Sequence, residues 1–218
     1  MTEQEWLECT DRLFADPQPQ KMLEFLRDKA SHRKLRLFAC ACCRRIDIWL
    51  NDLSKRAVEV AEQFAGGLVS EQACIDCRDA AYDPRQESDH GSQPAYSSAV
   101  YSAAGPRENF IVSAGYAARN CRLVNVFSGT ESNIQMNLLR DIFCNPFKPV
   151  SIDRSWLTST VVSLAQAIYD ERAFERMPVL ADALEEAGYT SVEILEHCRQ
   201  PGVHVRGCWL IDLLLQKE

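Results

Sequence analysis

The side chains best suited to chemistry lie near the end of the chain, in HCRQPGVHVRGC, which brings His197, Cys198, His204 and Cys208 close together in sequence. Imidazole nitrogen and thiolate sulfur are the donors that tetrahedral zinc takes. The Pro201–Gly202 pair breaks the helix carrying the first two and lets the second two fold back on them. His197 and Cys198 are neighbours, however, and on a helix they point about 100° apart, so three of the four donors can converge but not the whole set. The competing reading is a tight inter-helix turn. In it His204 and Arg206 bond loop carbonyls or acids, while Cys198, Cys208 and Trp209 belong to the core.

Two further cysteine pairs have i, i+3 spacing. Cys40 and Cys43 share a predicted helix face with Arg36, Arg44 and Asp47, where neighbouring cations could favour the reactive thiolate. That pair sits in mid-helix rather than at an N-terminus, so small thiols packed among Ala and Leu are the weightier reading. Cys74 and Cys77 form the second pair. Together the two pairs could make a four-sulfur zinc site, but both lie inside helical patterns instead of on turns. Neither a nucleophile-elbow, a phosphate-cradling glycine loop, a dinucleotide fingerprint nor a His-Glu-x-x-His motif occurs. The acids Asp170, Glu171, Glu175, Asp182, Glu185 and Glu186 read as a solvated or partner-binding face. An enzyme is therefore the less favoured reading.

The elements that must position these groups are helices. In SHRKLRLFACACCRRIDIWL, residues Leu35, Phe38, Ala39, Cys42, Ile46, Trp49 and Leu50 recur at steps of three and four, which predicts a central helix over 31–50 capped by Ser31. More than half of its girth is apolar, so the other helices are expected to pack around it. Thr2 and Glu5 predict a capping box, Ser54 a helix start, Gly66 and Gly67 a stop, and Thr190 with Glu193 a second box. Residues 83–94 read as an exposed loop. NPFKPVSIDRSW, with two prolines and no helical period, reads as an extended connector. No strand alternation persists, so the expectation is an all-α, compact multi-helix bundle of helical hairpins with one extended, Pro-containing connector.

Charge narrows the partners. A net charge of −7 speaks against general nucleic-acid binding. Residues 21–45 nevertheless carry eight basic side chains against two acids. Arg33, Arg36, Arg44 and Arg45 are thus a candidate patch for an anionic partner, against the plainer reading that they flank a buried helix and pair with acids elsewhere. The acidic start MTEQEW lacks the cast of a signal peptide, and no run reaches the roughly eighteen apolar residues of a membrane span, so a cytoplasmic protein with reduced thiols and no membrane partner is expected.

The phrases MLEFLRDKASHRKLRLFACACCRRI, LLRDIFCNPFKPV, LAQAIYDERAFERMPVLADALEEAG and ILEHCRQPGVHVRGCWLIDLLLQKE resemble a large group of uncharacterised bacterial proteins, over about two thirds of the chain and missing mainly residues 83–127. In that group the C-terminal phrase recurs as a module, which implies a boundary near Cys144. The resemblance implies no activity, cofactor or catalytic residue.

The expected organisation is an N-terminal bundle over 1–144 around the 31–50 helix, with a C-terminal module over 145–218 docked through Phe147, Trp156, Trp209 and Leu213. The favoured function is a non-catalytic protein-interaction or scaffolding domain whose partner is another protein. The alternative is zinc binding or thiol chemistry at Cys40/Cys43 or at His197, Cys198, His204 and Cys208, with zinc the sole cofactor under consideration. The third is anionic-partner binding through residues 33–45.

Overall fold

The computed structural model describes residues 1–9, 18–81, 99–105, 110–124 and 130–217. Every regular element among them is helical, and the protein is all-α. In chain order the helices are α1 (Glu3–Glu8), α2 (Gln18–Phe25), α3 (His32–Arg44), α4 (Asp52–Ala65), α5 (Glu71–Ala81), α6 (Phe110–Val124), α7 (Glu131–Phe143), α8 (Ser159–Glu171), α9 (Met177–Glu186), α10 (Val192–Arg199) and α11 (Trp209–Leu214). Residues 99–103 are also helical. The expected loop over 83–94 lies outside the described residues. The chain divides into two compact units, Met1–Leu139 and Arg140–Glu218.

In the first unit α3 packs against α4 and α6, α4 against α5, and α2 against α6. At the last of these contacts Gly115 faces the amide end of the Gln20 side chain, whose Oε1 lies 2.9 Å from where a Cβ would stand. Every residue from Leu35 to Cys43 is buried. The expected polar face of α3 is therefore not polar in its surroundings: Arg36, Cys40 and Cys43 are as enclosed as Phe38.

The expected helix over 31–50 ends early, at Arg44. The amide of Arg45 donates to both Cys42 O and Cys43 O, and Ile46 donates to Cys43 O, so the last turn tightens to i→i+3 bonding. A separate 3₁₀ turn, Asp47–Trp49, follows. That break changes the rotation of the chain. Ile46 and Leu50 stay inside, whereas Ile48 is 84 % exposed and Trp49, expected in the core, is 53 % exposed.

The caps follow local chemistry. Thr2 and Glu5 form the capping box, and Ser31 Oγ accepts from Lys34 N. Asn51 rather than Ser54 caps α4, accepting at Oδ1 from Ser54 N at 2.8 Å. Asn51 stands immediately before α4, one residue beyond Leu50, which ends the 3₁₀ turn, and its side chain is placed on the free amide of Ser54. The Thr190–Glu193 box does not form; the N-cap of α10 is Ser191, with no side-chain cap bond.

The second unit is a smaller bundle in which α8, α9, α10 and α11 enclose Val161, Ile168, Leu180, Leu184, Ile194, Leu210 and Ile211. Trp156 and Trp209 belong to this unit's own core, Trp156 meeting Tyr189 edge-on at 4.5 Å. The connector after Asn145 holds a 3₁₀ turn, Arg154–Trp156, which Asp153 caps.

Candidate metal centre

Three of the four C-terminal candidates come together. His197 projects from the last turn of α10, His204 lies in the turn beyond Pro201–Gly202, and Cys208 is the residue before α11. The fourth member is Asp141, near the end of α7, and the donor atoms of all four lie within 4.8 Å of one another. Cys198 is excluded as expected for a neighbour of His197: it turns into the core and is 1 % exposed, and burial pushes its thiol up to about 12.

The geometry is convergent. His197 Nε2 is 3.2 Å from Cys208 Sγ and 3.6 Å from Asp141 Oδ1. His204 Nδ1 is 2.7 Å from Asp141 Oδ1 and 4.0 Å from Cys208 Sγ. The other carboxylate oxygen, Oδ2, accepts from Val205 N at 3.0 Å. The edges of a tetrahedral zinc site with nitrogen, oxygen and sulfur donors are about 3.3 to 3.8 Å, so an ion would draw the four into place by opening the Asp141–His204 pair from 2.7 Å and closing the wider separations, His204–Cys208 at 4.0 Å among them, all of which lie within 4.8 Å.

A catalytic relay is arranged differently. In a nucleophile–imidazole–carboxylate triad, the acid and the nucleophile address opposite nitrogens of one ring. Here each histidine turns a single nitrogen towards both the carboxylate and the sulfur. All four groups therefore aim at a common point, which is the arrangement of ligands rather than of a proton relay. Cys208 is also fully buried, out of reach of a substrate carbonyl.

The electrostatics suit a cation. Burial drives the Cys208 thiol well above its ordinary value; the Asp141 carboxylate adds to this, and the amides of Ile211 and Leu210 oppose it. Burial lowers His197 to about 4, against the pull of Asp141, so its imidazole is neutral with its lone pair available. A bound cation would offset the charge of a carboxylate that is only 6 % exposed. His197, 18 % exposed, provides the most open edge of the four. Its ring also meets His204 at 4.8 Å and Trp209 at 4.8 Å. Nε2 of His204 is buried with no hydrogen-bond partner.

The other candidates are dispersed. Cys40 and Cys43 are buried in α3, and burial pushes the Cys40 thiol far above its ordinary value. Cys74 Sγ approaches Ala104 O at 3.6 Å, and Cys77 is half-buried. No second group of three converging His, Cys, Asp or Glu donors occurs among the described residues. Arg33 is half-buried at the start of α3.

Arg36 is not a surface cation. Its Nη1 donates to Ala103 O at 3.1 Å and its Nη2 to Gly105 O at 2.8 Å, with the rings of Phe110 and Phe64 at 4.2 and 4.9 Å. Arg44 grips the buried Glu62 through Nε and Nη2, at 3.3 and 3.1 Å, and Arg45 Nη2 meets the buried Glu131 at 3.3 Å. The plainer reading of the basic stretch thus describes these three arginines.

Asp141 had no counterpart in the sequence reading, because its partners lie far along the chain. The available signal was an acid in LLRDIF, one turn beyond Leu138 on the apolar side of its helix. No protein-family model matches the chain, and searches of the curated proteins and of the solved structures return no match.

Proposed function

We propose that the chain is a non-catalytic helical protein whose Arg140–Glu218 unit holds a zinc ion through Asp141, His197, His204 and Cys208. The observation that carries this reading is the convergence of one sulfur, two imidazole nitrogens and one carboxylate oxygen on a common point. A mixed nitrogen and sulfur donor set suits zinc, whereas magnesium and calcium take oxygen. Four protein donors fill a tetrahedron, leaving no position for an activated water, and such closed sites are structural.

Metal analysis of the purified chain tests the reading. A single zinc ion per chain is expected. Cobalt added to metal-free protein should give the visible bands of a tetrahedral thiolate complex, which Cys208→Ser removes and Asp141→Asn weakens. Protein that binds neither ion at micromolar concentrations would refute the assignment.

A further inference from the structure

The four ligands divide by where the chain holds them. Asp141 and His197 stand on α7 and α10, two helices with their own backbone hydrogen bonds, whereas His204 and Cys208 lie on the non-helical stretch over 200–208. Within that stretch Pro201, Gly202 and Val203 are exposed, and Gly207 turns at φ 94°. Its amide at Val205 bonds to the carboxylate of Asp141 rather than to another backbone group. The bond from Cys208 N to Val205 O is a local turn, and Arg206 reaches the carbonyls of Tyr169 and Asp170 at the end of α8. Cys208 is in turn the residue on which α11 begins, accepting at its carbonyl from Asp212 N.

A single ion would bridge these two classes of support. It would tie two rigid ligands to two on the stretch, on either side of the one backbone amide that Asp141 already holds. Without it, the attachment of 203–208 at this point rests on the Asp141 carboxylate, which takes His204 Nδ1 and Val205 N, and on the contact between His197 Nε2 and Cys208 Sγ.

We infer that zinc acts here as a clasp: its binding fastens residues 203–208 and the start of α11, so that the Arg140–Glu218 unit has a closed metal-loaded form and a metal-free form with this stretch open. The inference rests on the zinc assignment above. Metal occupancy then controls the order of the C-terminal part of the chain, with α3 and its neighbours indifferent to it.

Hydrogen exchange on the full chain, metal-free and with zinc at ten times its dissociation constant, tests the clasp. Amides whose exposure requires the site to come apart should be protected about tenfold more with zinc, Val205 and the first turn of α11 foremost, and those of α3 should be unchanged. His197→Gln, which alters a ligand on α10 and leaves 203–208 intact, should abolish the zinc-dependent protection. Zinc binding with no change in exchange over 203–212, or full zinc-dependent protection in His197→Gln, would overturn the clasp and leave the metal site standing. Absence of binding by cobalt and zinc alike would instead remove the metal site, and the clasp with it.

Discussion

Phe38 and Trp49 are both large aromatic residues in one apolar run, and their environments are opposite. Phe38 is fully enclosed, whereas Trp49 is half in water on a 3₁₀ turn. Phe38→Ala should cost about 3–5 kcal/mol through lost contacts and a cavity, and Trp49→Ala less than about 1 kcal/mol. Urea denaturation of the two variants measures the difference. The same pair shows how far the sequence could be read. Steps of three and four identified Phe38 as core, but a repeat says nothing of where the helix tightens, and one early turn carried Trp49 outward. At the candidate metal centre, His197, His204 and Cys208 were legible from residue type and the Pro-Gly break. Asp141 was not, because no local pattern links an acid on α7 to a turn so far downstream.

Helix ends were legible where one side chain had no rival and obscure where two competed. Thr2, Ser31 and the Gly66–Gly67 stop read directly; at α4 the expected start was Ser54, whereas Asn51, three residues earlier, is the cap and accepts from the Ser54 amide. Asn51→Ala should therefore cost about 1 kcal/mol, while Ser191→Ala, at a cap without a side-chain bond, should cost a few tenths at most. Gly188 ends α9 at φ 91° with nothing within 4 Å of the Cβ it lacks. Gly188→Ala should then cost about 1–2 kcal/mol from the backbone conformation alone, without any packing term. Thermal melts of the three variants order them as Gly188→Ala and Asn51→Ala well below Ser191→Ala.

For the molecule as a whole, the charge pattern along the chain and the charge pattern on its exterior differ. Residues 21–45 are strongly basic in sequence, yet Arg36 is buried and Arg44 and Arg45 face Glu62 and Glu131. With a net charge of −7, the protein should pass through a DNA column at low salt without retention, and binding there that fades as salt rises would contradict this. Among the described residues no helix is long and apolar enough to cross a membrane. All-helical architecture was fully legible from the sequence, because helical periodicity recurs along most of the chain and alternation nowhere persists.

The enclosure of α3 on every side has one more consequence. A rod that is greasy around its whole girth carries no polarity to tell it which way to face, and apolar neighbours tolerate several rotations about its axis almost equally. Arg36 removes that ambiguity. Its guanidinium has two fixed carbonyl acceptors and two flanking rings, so only one angular setting satisfies it, and the lone charge along Leu35 to Cys43 serves as the key that orients the rod.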